Sequence, residues 1–176
     1  MCGVTFYCSK VGHYKENLNQ SLDVMSHRGP DGRGSEFYQT NGHFIGLGHN
    51  RLSIIDLSNN ASQPMTSENG TVISFNGEIY NFKELREALA SEGTTFSTSS
   101  DTEVILKIYE KYGVEGFNYL RGMFAFVIYD LSIEKIYIVR DHVGIKPIYI
   151  YDNNGEIFCA SEIKGLKAFD PIDPRV

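Results

Sequence analysis

Runs whose apolar residues alternate with period two stand at both ends of this 176-residue chain. Helical periods lie between them, and no strand–helix–strand rhythm that would build a parallel sheet is present. Residues 3–8, Gly-Val-Thr-Phe-Tyr-Cys, are β-branched and aromatic and predict an opening strand. Over 15–27, Leu18, Leu22 and Met25 recur at spacings of four and three, which predicts a helix stopping near Gly29-Pro30. Short alternating runs follow at 36–38 and 43–47, then a strand over 71–75. Asn81 with Glu84, and Ser100 with Glu103, have the spacing of helix caps, and Gly113 marks the second helix's end. From Gly122 strands dominate, over 123–129, 135–140, 147–151 and 156–160, with Asn153-Asn154-Gly155 as a hairpin turn. The expected class is α+β, with sheets stacked face to face and helices outside.

A chain of this length buries a full core as one domain and needs no staples. Its net charge of −6 and the lack of a lysine–arginine cluster argue against a nucleic-acid partner. No apolar run reaches the ~20 residues of a membrane helix, and the first residues lack a secretory pattern, so a cytoplasmic location is expected. Three cysteines, Cys2, Cys8 and Cys159, give neither a disulfide framework nor zinc-ligand spacing. The segment 169–176, with Pro171 and Pro174, has the composition of a linker, which makes 1–168 the expected domain and suggests that something follows.

Cys2 has an option that no internal cysteine has. Removal of Met1, favoured by a small second residue, would free its α-amine, which titrates near ~8. Thiol and base would then share one residue, and a strand starting beside them would hold both rigidly. Arg51 heads an apolar run, 52–55, and its fork suits a carboxylate, although an isolated arginine also serves as a surface charge. Asn76-Gly77 reads as a hairpin turn or, since 78–80 run straight into a helix cap, as a corner with two amide donors that could form an oxyanion hole. Asp101 and Glu78 either offset charge at the surface or hold a substrate ammonium.

Taken in order, Cys2-Gly3, HRGPDG at 27–32, GHNRLSIIDLS at 48–58, Gln63-Pro64-Met65, FNGEIYN at 75–81, SDTEVIL at 100–106, RGMFAFVIYD at 121–130 and RDHVGIKPIYI at 140–150 resemble the glutamine-hydrolysing domain of the asparagine synthetases. The resemblance covers nearly the whole chain, and the motifs match in order and spacing. It implies an N-terminal-nucleophile fold, a four-layer αββα sandwich of two antiparallel sheets. It further implies Cys2 as nucleophile with its freed amine as base, and Asn76 and Gly77 as the oxyanion hole. Arg51 would bind the α-carboxylate of L-glutamine, and Asp101 with Glu78 its α-ammonium, while the backbone of Leu52, Ser53, Ile54 and Ile55 lines the site. The expected reaction releases glutamate and ammonia. The ammonia would pass to an ATP-dependent synthetase domain, in cis or as a partner subunit, and a homodimer is compatible. No cofactor is expected in these residues; ATP and magnesium belong to the synthetase domain, whose nucleotide signature is not in this chain. Two alternatives stay open: the same half-reaction in amino-sugar or purine-precursor synthesis, and a silent glutamine-binding regulatory module.

Overall fold

The computed structural model describes residues 1–169, and 170–176 lie outside it. Two antiparallel sheets are stacked face to face. One has the strand order β2-β3-β1-β9-β8, built from β1 (Gly3–Ser9), β2 (Gly32–Thr40), β3 (His43–Arg51), β8 (Tyr149–Asn153) and β9 (Glu156–Ala160). The other has the order β4-β5-β6-β7, from β4 (Met65–Thr66), β5 (Thr71–Ile79), β6 (Gly122–Asp130) and β7 (Lys135–Arg140). Helices α1 (Lys15–Val24) and α4 (Ile163–Leu166) cover the first sheet, and α3 (Asp101–Tyr112) covers the second with α2 (Phe82–Ser91) against it.

The period of two assigns each side chain its layer. Val4, Phe6 and Cys8 of β1 meet Val72, Val127 and Tyr129 between the sheets, whereas Tyr7 packs with Leu18 and Leu22 of α1 on the outer face. The same parity sends Cys2, just before β1, toward the second sheet. In β5, Ile73, Phe75 and Ile79 pack outward in a cluster with Ile105 and Tyr109 of α3, while Val72 belongs to the cluster between the sheets. Asn76 follows Val72 and Ser74 on that inner face.

Several expectations are corrected. The helix at 15–27 ends at Val24, and residues Ser26–Arg28 form a 3-10 turn. Asn76-Gly77 is neither a turn nor a corner: β5 runs through it, and β6 pairs with β5 as far as Ile79↔Gly122. Asn81 does not cap α2 with its side chain; its amide donates to the Tyr119 carbonyl and its oxygen accepts from the Arg121 N–H. Ser100 does cap α3, accepting from the Glu103 N–H at 3.2 Å, but the Glu103 carboxylate turns back to the N–H groups of Ser97 and Thr98. Asn154 and Gly155 both have positive φ, 55° and 86°, as a two-residue hairpin requires. Phe169, the first residue of the expected linker, is fully buried against Tyr7, Tyr14 and Phe158. The rest of the expected linker lies outside the described residues.

Candidate active site

One cavity of about 200 Å³ is lined by Cys2, Arg51, Leu52, Ser53, Ile54, Ile55, Asn76, Gly77, Glu78 and Asp101, which are all ten of the residues singled out in the sequence. Met1, Gln63, Thr102 and Lys146 also line it. It opens where β1 begins, between the ends of β3 and β5 and the N-terminus of α3.

Cys2 is held from two directions. The buried Arg28 donates through Nε to the Cys2 carbonyl at 2.8 Å and through Nη1 to Glu162 at 2.8 Å. The Leu52 N–H lies 3.4 Å from Sγ, directed at the sulfur. Burial raises the Cys2 thiol above its ordinary pKa, outweighing the Leu52 N–H, which favours the thiolate. Met1 precedes Cys2 here, and Lys146 Nζ approaches the Met1 sulfur at 3.4 Å. The loop after β3 is fixed by Asp31, whose carboxylate accepts from the Ser53 N–H at 2.8 Å. The 27–32 stretch thus secures both Cys2 and the loop facing it, and Gly29 is required because a Cβ there would lie 2.4 Å from the Asn50 backbone.

Asn76 is only 1% exposed, and its Nδ2 has no hydrogen-bond partner among the described residues. A buried donor left unmet costs about 1–3 kcal/mol, a price a ligand oxygen would remove. Gly77 adds a second donor. Along β5 the N–H of Phe75 goes to Gln63 and that of Ile79 to Asp101, both on the edge away from β6. Strand alternation directs the Gly77 N–H to the same edge, between these two. Glycine is needed because a Cβ would sit 2.2 Å from the Met123 carbonyl oxygen.

Asp101, the first residue of α3, is 5% exposed and accepts from the Ile79 N–H at 3.0 Å. Desolvation outweighs its backbone hydrogen bonds and raises its pKa to about 6, with Glu78 adding to the rise. Arg51 lines the cavity, but its Nη1 donates to the Ser58 carbonyl at 2.9 Å and its Nη2 to that of Asp56. Its remaining N–H groups are the ones left for a ligand. Ile54 is 69% exposed, so that part of the loop contributes backbone more than packing. Among the described residues no three His, Cys, Asp or Glu side chains are grouped as metal ligands would be, and no helix is long and apolar enough to cross a membrane.

Asp101 yields a stability prediction with a definite sign. Its folded pKa lies above the unfolded value, so the buried carboxylate destabilises the fold above pH 6, and the effect vanishes as pH falls below about 4. Asp101→Asn should therefore raise the melting temperature at pH 7.5 and not at pH 4, with an upper bound of about 3 kcal/mol for a carboxyl raised to about 6. A melting series across that range checks it; an equal gain at both ends would assign the effect to packing instead of charge.

Sequence reasoning passed over Arg28, which holds the Cys2 carbonyl, and Gln63, which lines the cavity. Arg28 lay inside a quoted motif without a partner, and its partner Glu162 is 134 positions away, beyond any local signal.

The chain matches the glutamine amidotransferase domain family over residues 1–176. It is 44% identical over 172 residues to asparagine synthetase [glutamine-hydrolyzing] 1 of Bacillus subtilis, covering 94% of this chain and 26% of that protein. It is 38% identical over 182 residues to amidase chry2 of Gibberella zeae, covering 96% of this chain and 27% of that one. The chain thus spans about a quarter of the length of these relatives. Among solved structures, glutamine phosphoribosylpyrophosphate amidotransferase from B. subtilis superposes with a TM-score of 0.78 at 21% identity, over 94% of this chain and 43% of that one. That likeness shows the fold, the N-terminal-nucleophile αββα sandwich. With the family match running end to end, the chain belongs to the glutamine amidotransferase domain family.

Proposed function

We propose that these residues hydrolyse the side-chain amide of L-glutamine to glutamate and ammonia through a thioester on Cys2. The observation that carries the reading is the convergence, in one cavity, of a thiol, a partnerless buried amide donor and groups of opposite charge suited to the two ends of a free amino acid. Arg51 takes the α-carboxylate, and Asp101 with Glu78 the α-ammonium, leaving the amide carbon facing Cys2.

Removal of Met1 frees the Cys2 amine, which takes the thiol proton as sulfur bonds to the amide carbon. The carbonyl π-pair moves onto oxygen, where the Asn76 amide and the Gly77 N–H receive it. The amine then passes its proton to the leaving nitrogen, the C–N bond breaks, and ammonia departs from a glutamyl thioester. Water adds to the thioester, giving a proton to the same amine, and glutamate leaves as the thiol is restored. The ammonia serves an ATP-dependent acceptor domain, in cis or on a partner subunit, with ATP and magnesium acting there. Homologous alignment with asparagine synthetases at 44% identity supports that destination.

The test is a stoichiometric assay of glutamate and ammonia from glutamine, using protein shown by mass to begin at Cys2. Equal release of both supports the reading. Tight glutamine binding with no release by that processed protein would favour the regulatory module.

A further inference from the structure

Two sequence motifs remain without a role: the Gln63 of Gln63-Pro64-Met65 and the His49 of the 48–58 run. Their side chains meet at Phe75, one residue before Asn76. Strand β4 is two residues long and pairs with β5 only at Val72 and Ile73. Beyond that point the outer edge of β5 has no neighbouring strand among the described residues. Gln63 Oε1 accepts the Phe75 N–H at 2.7 Å, and His49 Nε2 donates to the Phe75 carbonyl at 2.9 Å. The two side chains thereby replace a strand.

A longer β4 would have satisfied the same edge, but it would also have paired with the Gly77 N–H and consumed an oxyanion donor. Side-chain clamping fixes the edge and leaves that donor open. Gln63 is 8% exposed and His49 is fully buried, so neither bond competes with bulk water. Burial lowers the His49 pKa to about 4, which keeps the ring neutral and able to donate through Nε2 at working pH. Gln63 is used at both ends: its Nε2 donates to Thr102 Oγ1 at 3.1 Å. Thr102 follows Asp101 in the first turn of α3. One side chain therefore bridges the strand carrying Asn76-Gly77 and the helix carrying Asp101.

We propose that Gln63 and His49 are positioning residues that clamp the Phe75 peptide and so aim the Asn76 and Gly77 donors, with Gln63 also setting their distance from Asp101. The inference rests on the glutaminase reading above. The two bonds of Gln63 should separate in kinetics. His49→Phe loosens only the strand and should lower kcat about tenfold or more, with KM within about threefold. Thr102→Val loosens only the helix and should raise KM about threefold or more, with kcat within about twofold. Gln63→Leu should do both.

Thermal melts of each variant set the folded fraction. The inference is overturned if Gln63→Leu keeps kcat and KM within about twofold of the parent, or if all three variants lose activity only in proportion to folded protein lost. Should the parent protein release no glutamate, the proposed function fails separately, and the clamp is then read from amide hydrogen exchange. The Phe75 N–H, which Gln63 holds, must exchange faster in Gln63→Leu while β1 and β9 are unchanged; an unchanged Phe75 rate overturns it.

Discussion

Replacement of Cys2 by alanine is expected to stop glutamate release while leaving glutamine bound. Without sulfur no thioester can form, and loss of a covalent nucleophile lowers kcat by roughly 10⁴-fold or more. The groups assigned to the two ends of the amino acid, Arg51, Asp101 and Glu78, are untouched, so the dissociation constant should stay within about threefold by calorimetry. The fold should be indifferent, because the strand that follows is held by pairing of β1 with β3 and β9 and not by the thiol. Residual turnover above about 1% of the parent rate would remove Cys2 from the nucleophile's role.

Asn76→Ala should have the next largest effect. Its amide donor has no acceptor among the described residues, so its interaction is realised only when charge develops on a substrate oxygen. Removing one such donor typically lowers kcat about 10²–10³-fold. KM should move little, since a ground-state amide carbonyl carries less charge than the oxyanion. Stability should be nearly unchanged, because no bond to Nδ2 is lost and the truncation relieves a buried unmet group. Gly77 offers no equivalent test: its alanine variant would drive a methyl group into the Met123 carbonyl. A kcat within tenfold of the parent would mean that the oxyanion is stabilised elsewhere.

Much of this fold is legible locally. The apolar spacing of Leu18 and Leu22 marks α1, Ser100 marks the start of α3, and the period of two marks β1, β6 and β9. Strands β2 and β3 were legible only in part, because glycines interrupt their pattern. Those glycines answer a tertiary demand: a Cβ at Gly46 would lie 2.3 Å from the Tyr7 ring, and one at Gly48 would lie 2.7 Å from Thr5 Cγ2. Asn76-Gly77 misleads for a similar reason, since the commonest turn dipeptide is here held extended by full pairing with β6. The ten candidate residues come together because strand parity and one helix start deliver them to one place. What the chain could not disclose are the side-chain bonds that join distant segments, Arg28 to Glu162, His49 to Phe75 and Gln63 to Thr102. No periodicity encodes a contact between elements whose relative placement is not yet known.

The shared role of thiol and amine in Cys2 is tested most directly by comparing two preparations of the same sequence, one beginning at Cys2 and one retaining Met1, each verified by intact mass. Glutamate release should follow the fraction of molecules that begin at Cys2, and the form retaining Met1 should be inactive because its nitrogen is an amide without useful basicity. Equal rates from the two forms would contradict the account, placing the base on some other group of the cavity.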